Sequence, residues 1–73
     1  MYINRLLIKQ TLKKRDLSVD YMGKKCFPDY LAQTQAFSDL INNRRQSIPF
    51  IVIKVIRDEL GIEVNELFVD KIN

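Results

Sequence analysis

The side chains able to do chemistry in this sequence are mostly cations. Lys13, Lys14 and Arg15 run together, Lys24 and Lys25 follow, and Arg44 and Arg45 form a second tandem. Residues 1–45 hold nine Lys/Arg against four Asp/Glu, and residues 46–73 hold three against five, so the net +3 divides into +5 and −2. A basic front and an acidic back suit a domain that presents one face to a polyanion. The plainer reading of the same charges is a solvated surface, and that is the reading for Lys24-Lys25. Catalysis finds little material. There is no histidine and no nucleophile elbow, the two glycines Gly23 and Gly61 are too sparse for a phosphate loop, and the carboxylates form no obvious pair. The single thiol, Cys26, excludes an intramolecular disulfide and, without histidine, argues against structural zinc. It reads as a small buried hydrophobe. Tyr21, Phe27, Tyr30 and Phe50 have faces that can stack on bases, but aromatics so placed more often pack in a core or at its edge. The expectation is a protein that is not an enzyme and uses no cofactor, metal or small-molecule substrate.

Positioning these groups falls to one small domain over residues 1–73. A chain of this length buries roughly 60% of its unfolded surface, so it has one thin core. The composition is 47% hydrophobic and 29% charged, with two Gly and two Pro, which favours helices over a turn-rich all-β fold. Ile3, Leu6, Leu7 and Thr11, widened by Ile8 and Leu12, predict a helix from about Asn4 to Arg15. Ser18 reads as the N-cap of a second helix to about Lys25, with Asp20 in its first turn. Phe27-Pro28-Asp29 stops that helix, or Pro28 opens a new helical turn with Tyr30-Leu31-Ala32. Phe37, Leu40 and Ile41 mark a third helix ending at Asn42-Asn43, before a polar connection over 44–47. A fourth runs from Pro49 in its first turn through Leu60 to Gly61, with a broad buried side at 48, 51, 52, 55, 56 and 60 that would make it central. Residues Glu63–Phe68 give a short fifth. The predicted fold is all-α, a compact five-helix orthogonal bundle. The apolar stretch Ile48–Ile56, broken by Pro49 and Lys54, is too short to span a bilayer, and the N-terminus lacks a signal-peptide pattern, so the expected location is cytoplasmic.

Two stretches carry a family resemblance. The first, Leu12 to Gly23, is similar to a run of Leu, two polar residues, Arg, Gly, Leu, Ser, Gln, two polar residues, Leu and Ala. Arg15, Leu17 and Ser18 match, Met22 stands for the Leu, and Gly23 for the small residue at a close helix contact. The second runs from Phe37 through Asn42-Asn43-Arg44-Arg45 and Pro49 to Leu60-Gly61-Ile62-Glu63-Val64-Asn65-Glu66-Leu67-Phe68. It looks like a recognition helix ending in Asn-Gly-basic-basic, then a fourth helix and a Leu-Gly-Val-Ser-x-x-Glu-Leu-Phe close. Together, over about residues 3 to 68, they resemble the Cro-repressor and Xre-type helix-turn-helix family, the lambda-repressor-like domain. Three positions depart from it. Val19 replaces the usual Gln, Ile41 replaces an acidic residue, and the interval from Met22 to Phe37 is about four residues longer. The extra residues fall in or near Cys26–Ala32, as a longer turn, an extended second helix or an extra helical turn.

The resemblance implies a sequence-specific double-stranded DNA-binding transcription regulator, a small Cro-like repressor acting by promoter occlusion. Its third helix would enter the major groove and place Thr34, Gln35, Ser38 and Asp39 at base edges. Their chemistry suits that task. Gln pairs bidentately with adenine, Thr offers a hydroxyl and a methyl, and Asp accepts from cytosine. Lys13, Lys14, Arg15, Ser18, Asn42, Asn43, Arg44 and Arg45 would be the phosphate contacts. Duller roles compete. Thr34 and Gln35 can cap a helix start, and Asp39 can orient Arg44. The resemblance further implies a homodimer on a pseudo-palindromic operator, associating through the fifth helix and the tail at Val69 and Ile72, and a phage or mobile-element origin. The alternative is a protein-interaction module of the same fold, an antitoxin or phage-encoded adaptor. An exposed apolar patch around Phe27, Tyr30 and Phe50 would favour it. A third option, RNA binding, calls for exposed stacking aromatics beside the cations.

Overall fold

Short-range capping signals start and stop most of the helices. The Asn4 side chain accepts a hydrogen bond from the Leu7 amide at 3.2 Å and opens helix α1, Arg5–Arg15. Asp16, at φ 55°, takes the left-handed conformation that ends it, and the three cations of the last turn suit the helix dipole there. Ser18 accepts from the Tyr21 amide at 2.9 Å and caps α2, Val19–Cys26, as its position in the sequence predicts. Helix α3 is Gln33–Ile41, followed by Asn43 at φ 58°. Helix α4, Phe50–Leu60, has Pro49 as its N-cap and Gly61 at φ 69° as its C-cap. The one-turn helix α5, Val64–Leu67, is closed on itself by a bond from the Glu63 amide to Glu66 Oε1 at 3.3 Å. This computed structural model describes residues 1–45 and 47–73; Gln46, within the polar connection predicted over 44–47, lies outside the described residues.

The fold is predominantly helical, with these five helices, but it is not purely so. Strand β1, Tyr2–Ile3, pairs antiparallel with β2, Phe68–Val69, in the register Tyr2 with Val69 and Ile3 with Phe68. The all-α prediction is corrected on this point. The fifth helix predicted over Glu63–Phe68 ends at Leu67, and Phe68 turns extended to join the sheet. Asn43 secures the arrangement from the other side, its Oδ1 accepting from the Ile3 amide at 2.7 Å. The left-handed Asn that ends α3 therefore also ties down the N-terminal strand.

Packing centres on the pair α2 and α3, with α1 and α2 both reaching α4. Phe37, wholly buried at 0% exposure, anchors α3, alongside Leu40, Ile41 and Ala36. Helix α1 buries Ile8 and Leu12, the two residues that widen the predicted stripe, and of the rest of that stripe Leu6 is left 55% exposed. Helix α4 likewise buries a narrower face than predicted, Val52, Ile56 and Leu60, while Ile51 lies exposed. Both differences have one cause. A chain this short has too little core to cover every apolar position its helices offer. No helix among the described residues is long and apolar enough to cross a membrane.

Gly23 sets how closely α2 and α3 approach. A Cβ built there would stand 2.5 Å from the Gln33 carbonyl oxygen and 2.7 Å from its carbon. The first turn of α3 thus lies on the backbone of α2, which is the close contact the Gly23 position implies. Three residues further along α2, Cys26 is 2% exposed. Burial, chiefly, and then the charge of Glu59 push its thiol up to about 12. In the unfolded chain a thiol ionises near pH 8.5. Unfolding above about pH 9 therefore releases a proton that the folded state retains, and stability falls as pH rises through that window. We expect Cys26 to resist alkylation in the native protein and to react once denaturant unfolds it. We also expect Cys26→Ala to flatten the alkaline decline in melting temperature. Rapid native labelling at pH 8 would contradict this account.

Candidate nucleic-acid interface

Helix α3 turns its buried residues, Ala36, Phe37, Leu40 and Ile41, to one side, and 3.6-residue periodicity puts Thr34, Gln35, Ser38 and Asp39 on the other. Thr34 and Gln35 are exposed and Ser38 and Asp39 are half-buried. All four predicted base-contact residues thus share one unburied, polar face. Each is held by a neighbour. Thr34 Oγ1 donates to Asp20 Oδ1 of α2 at 2.6 Å, and Gln35 Nε2 donates to Asp39 Oδ1 at 2.8 Å. Ser38 Oγ lies 3.3 Å from Asn42 Nδ2, which donates to the Ser38 carbonyl at 2.8 Å.

Thr34 and Asp39 sit at opposite edges of this face, and cations stand at both. On the α2 side, Asp20 meets Lys24 at 3.2 Å, and Lys25 lies 5.6 Å from the ring centre of Tyr21. The Thr34 hydroxyl first, and then Lys24, hold the Asp20 carboxyl below the ordinary aspartate range. On the far side, Arg44 meets Asp39 at 3.5 Å. Arg45 turns back over the residues before α3, its guanidinium carbon 4.8 Å from the ring centre of Phe27 and 5.5 Å from that of Tyr30. The carboxylates beside the face are therefore each matched by a positive side chain.

Several other predicted phosphate contacts have internal partners. Arg15 Nη1 donates to the Glu59 carbonyl at 3.1 Å, so it closes the C-terminus of α4, and Tyr21 Oη donates to the Glu59 carboxylate nearby. That bond, above all, raises the Tyr21 pKa. Ser18 Oγ is the α2 cap and the Asn43 side chain holds β1. Lys13 and Lys14 are exposed on the last turn of α1. Val19, where the resemblance leads one to expect Gln, is half-buried against the core.

Residues 27–32, where the resemblance puts its surplus, form a turn between α2 and α3. Neither an extended helix nor a helical turn opened by Pro28 is present. Phe27 is buried and ends α2, the Tyr30 amide donates to the Phe27 carbonyl at 3.1 Å, and Gln33 Nε2 donates to the Pro28 carbonyl at 3.2 Å. The patch suggested around Phe27, Tyr30 and Phe50 loses Phe27 to the core, while Tyr30 is 46% and Phe50 80% exposed. Phe50 instead lines a cavity of about 290 Å³ with Ile53, Lys54, Arg57, Glu63 and Val64. Sequence reasoning missed the Asp20–Thr34 bond and the seating of Arg45 on aromatic rings. Both join residues at least fourteen positions apart, beyond the reach of any local pattern. Comparison with protein-family profiles, curated proteins and solved structures found no significant match.

Proposed function

We propose that this protein binds double-stranded DNA by sequence and regulates transcription as a small helix-turn-helix repressor, with α3 as its recognition helix. One observation carries the reading: the polar face Thr34–Gln35–Ser38–Asp39 is left unburied on a helix otherwise anchored in the core, with cations at both edges. Such a face has no packing task, and its side chains are those that discriminate base edges in a major groove. Cations on either side of such a face are the groups that would meet the two phosphate strands bordering a groove. The hydrogen bonds among Gln35, Asp39 and Arg44 preset rotamers without using every donor. Gln35 retains its amide oxygen and a second N–H for a base.

Small regulators of this size occlude a promoter best as a dimer on a two-fold site. The cavity between α4 and α5 suits self-association, because Phe50, Ile53 and Val64 offer apolar surface and Lys54, Arg57 and Glu63 supply both signs of charge. A two-fold copy can set the Glu63 of each chain against the Lys54 and Arg57 of the other. Val69 is already paired with Tyr2, which moves the expected interface from the tail toward Val64 and α4.

The test is a titration of labelled duplex at about 50 and 200 mM salt, where phosphate-dominated binding differs by orders of magnitude. Wild type is expected to bind with a steep salt dependence, and Arg44→Ala/Arg45→Ala with a shallower one. Gln35→Ala is expected to lose about 1–3 kcal/mol of discrimination at one base while keeping its non-specific affinity. Absence of binding at the lower salt, or a double-arginine variant equal to wild type, would exclude the proposal.

A further inference from the structure

Arg44 and Arg45 are adjacent, yet they are held by different chemistry. Arg44 is neutralised in part by Asp39. Among the described residues Arg45 has no carboxylate partner. Its guanidinium rests instead on Phe27 and Tyr30, at 4.8 and 5.5 Å from the ring centres, and Nη2 donates to Tyr30 Oη at 3.2 Å. The two rings pack on each other at 4.8 Å with a 59° tilt. Phe27 is fixed by burial, and Tyr30 by the backbone bond to Phe27. All of this seat is built from the lengthened turn between α2 and α3.

Resting against ring faces leaves free the guanidinium N–H groups other than the one given to Tyr30, and a pair of such N–H groups is what a phosphate takes bidentately. A stacked arginine has also surrendered much of its rotamer freedom before any ligand arrives, so less is lost on binding. Arg45 is placed for this. It follows α3 in the chain and returns over the turn that joins the end of α2 to the start of α3.

We propose that the turn over 27–32 is a seat in which Phe27 and Tyr30 hold the Arg45 guanidinium beside α3, so that it meets a DNA phosphate already ordered. This rests on the DNA-binding reading above. Arg45 is the contact, and Tyr30 is a positioning residue acting through it.

A double-mutant cycle on the duplex that the wild-type protein enriches from a random pool tests this, with binding followed by anisotropy across salt. Arg45→Ala is expected to weaken binding and to flatten the log–log salt slope by about 0.9, one phosphate. Tyr30→Ala is expected to weaken binding about two- to tenfold with the slope unchanged, the cost of ordering one side chain. In the Arg45→Ala background the same Tyr30→Ala change should then add nothing. Tyr30 is 46% exposed, so its removal is expected to leave the fold intact, and a thermal melt of each variant checks this. Leu31→Ala, on a fully exposed neighbour in the same turn, should match wild type. The seat is refuted if Tyr30→Ala binds as wild type, if its loss is the same in both backgrounds, or if Arg45→Ala leaves the slope unchanged. If those variants match wild type while Gln35→Ala loses specificity, the seat fails and the DNA reading stands. A wild-type protein that binds no duplex removes both.

Discussion

Phe37→Ala is expected to cost about 3–5 kcal/mol of stability, the range for emptying a buried aromatic site. Phe37 has no exposed surface and is the largest fully buried side chain in the protein. A domain of this length holds on the order of 4–11 kcal/mol in total, so the loss takes a large share of it and, at the low end of that range, unfolds much of the population. The loss combines the lost transfer of the ring with the cavity left behind, which a thin core cannot close. Denaturant unfolding checks it. The midpoint should fall sharply at unchanged slope, and Phe37→Leu should recover part of it. A midpoint within error of wild type would mean that Phe37 does not anchor α3.

Gly23→Ala is expected to destabilise although it replaces a mid-helix glycine by the best helix former. At an exposed site that exchange gains about 1 kcal/mol. Here the new methyl would meet the Gln33 carbonyl oxygen at 2.5 Å, and the obstacle is backbone that cannot swing aside. Overpacking of this kind costs about 1–3 kcal/mol, and at the upper end it outweighs the propensity gain and lowers the melting temperature by roughly 10 °C. The functional effect is expected to exceed the stability effect. The methyl moves α3 relative to α2, stretching the 2.6 Å Thr34–Asp20 bond and displacing the polar face. Gly23→Ala should therefore weaken specific binding at temperatures where the variant is fully folded. A stabilised variant with wild-type affinity would contradict the close-contact account.

How far the sequence could be read follows from the range of the interactions. Ser18, Asn43 and Gly61 act within a few residues of a helix end, and each is found capping or ending a helix as its type suggests. The spacing of Phe37, Leu40 and Ile41 likewise fixed which side of α3 is buried, and so which side is left polar. The strand pair was not legible. Tyr2–Ile3 and Phe68–Val69 are two residues each, with no alternation to read, and they pair only because the folded helices bring the two ends together. Leu6 and Ile51 match a helical stripe as well as their buried neighbours do, and only the limited size of the core decides against them. The turn over 27–32 was located by its surplus length, but the seat for Arg45 depends on a side chain fifteen positions away.

Sequencing the duplexes that the wild-type protein selects from a random pool is the most direct test that α3 reads DNA. The expected result is a two-fold symmetric motif with half-sites about 10 bp apart, whose preferred bases change when Thr34, Gln35, Ser38 and Asp39 are replaced by alanine. Recovery of no motif, or of the same motif with all four replaced, would contradict it.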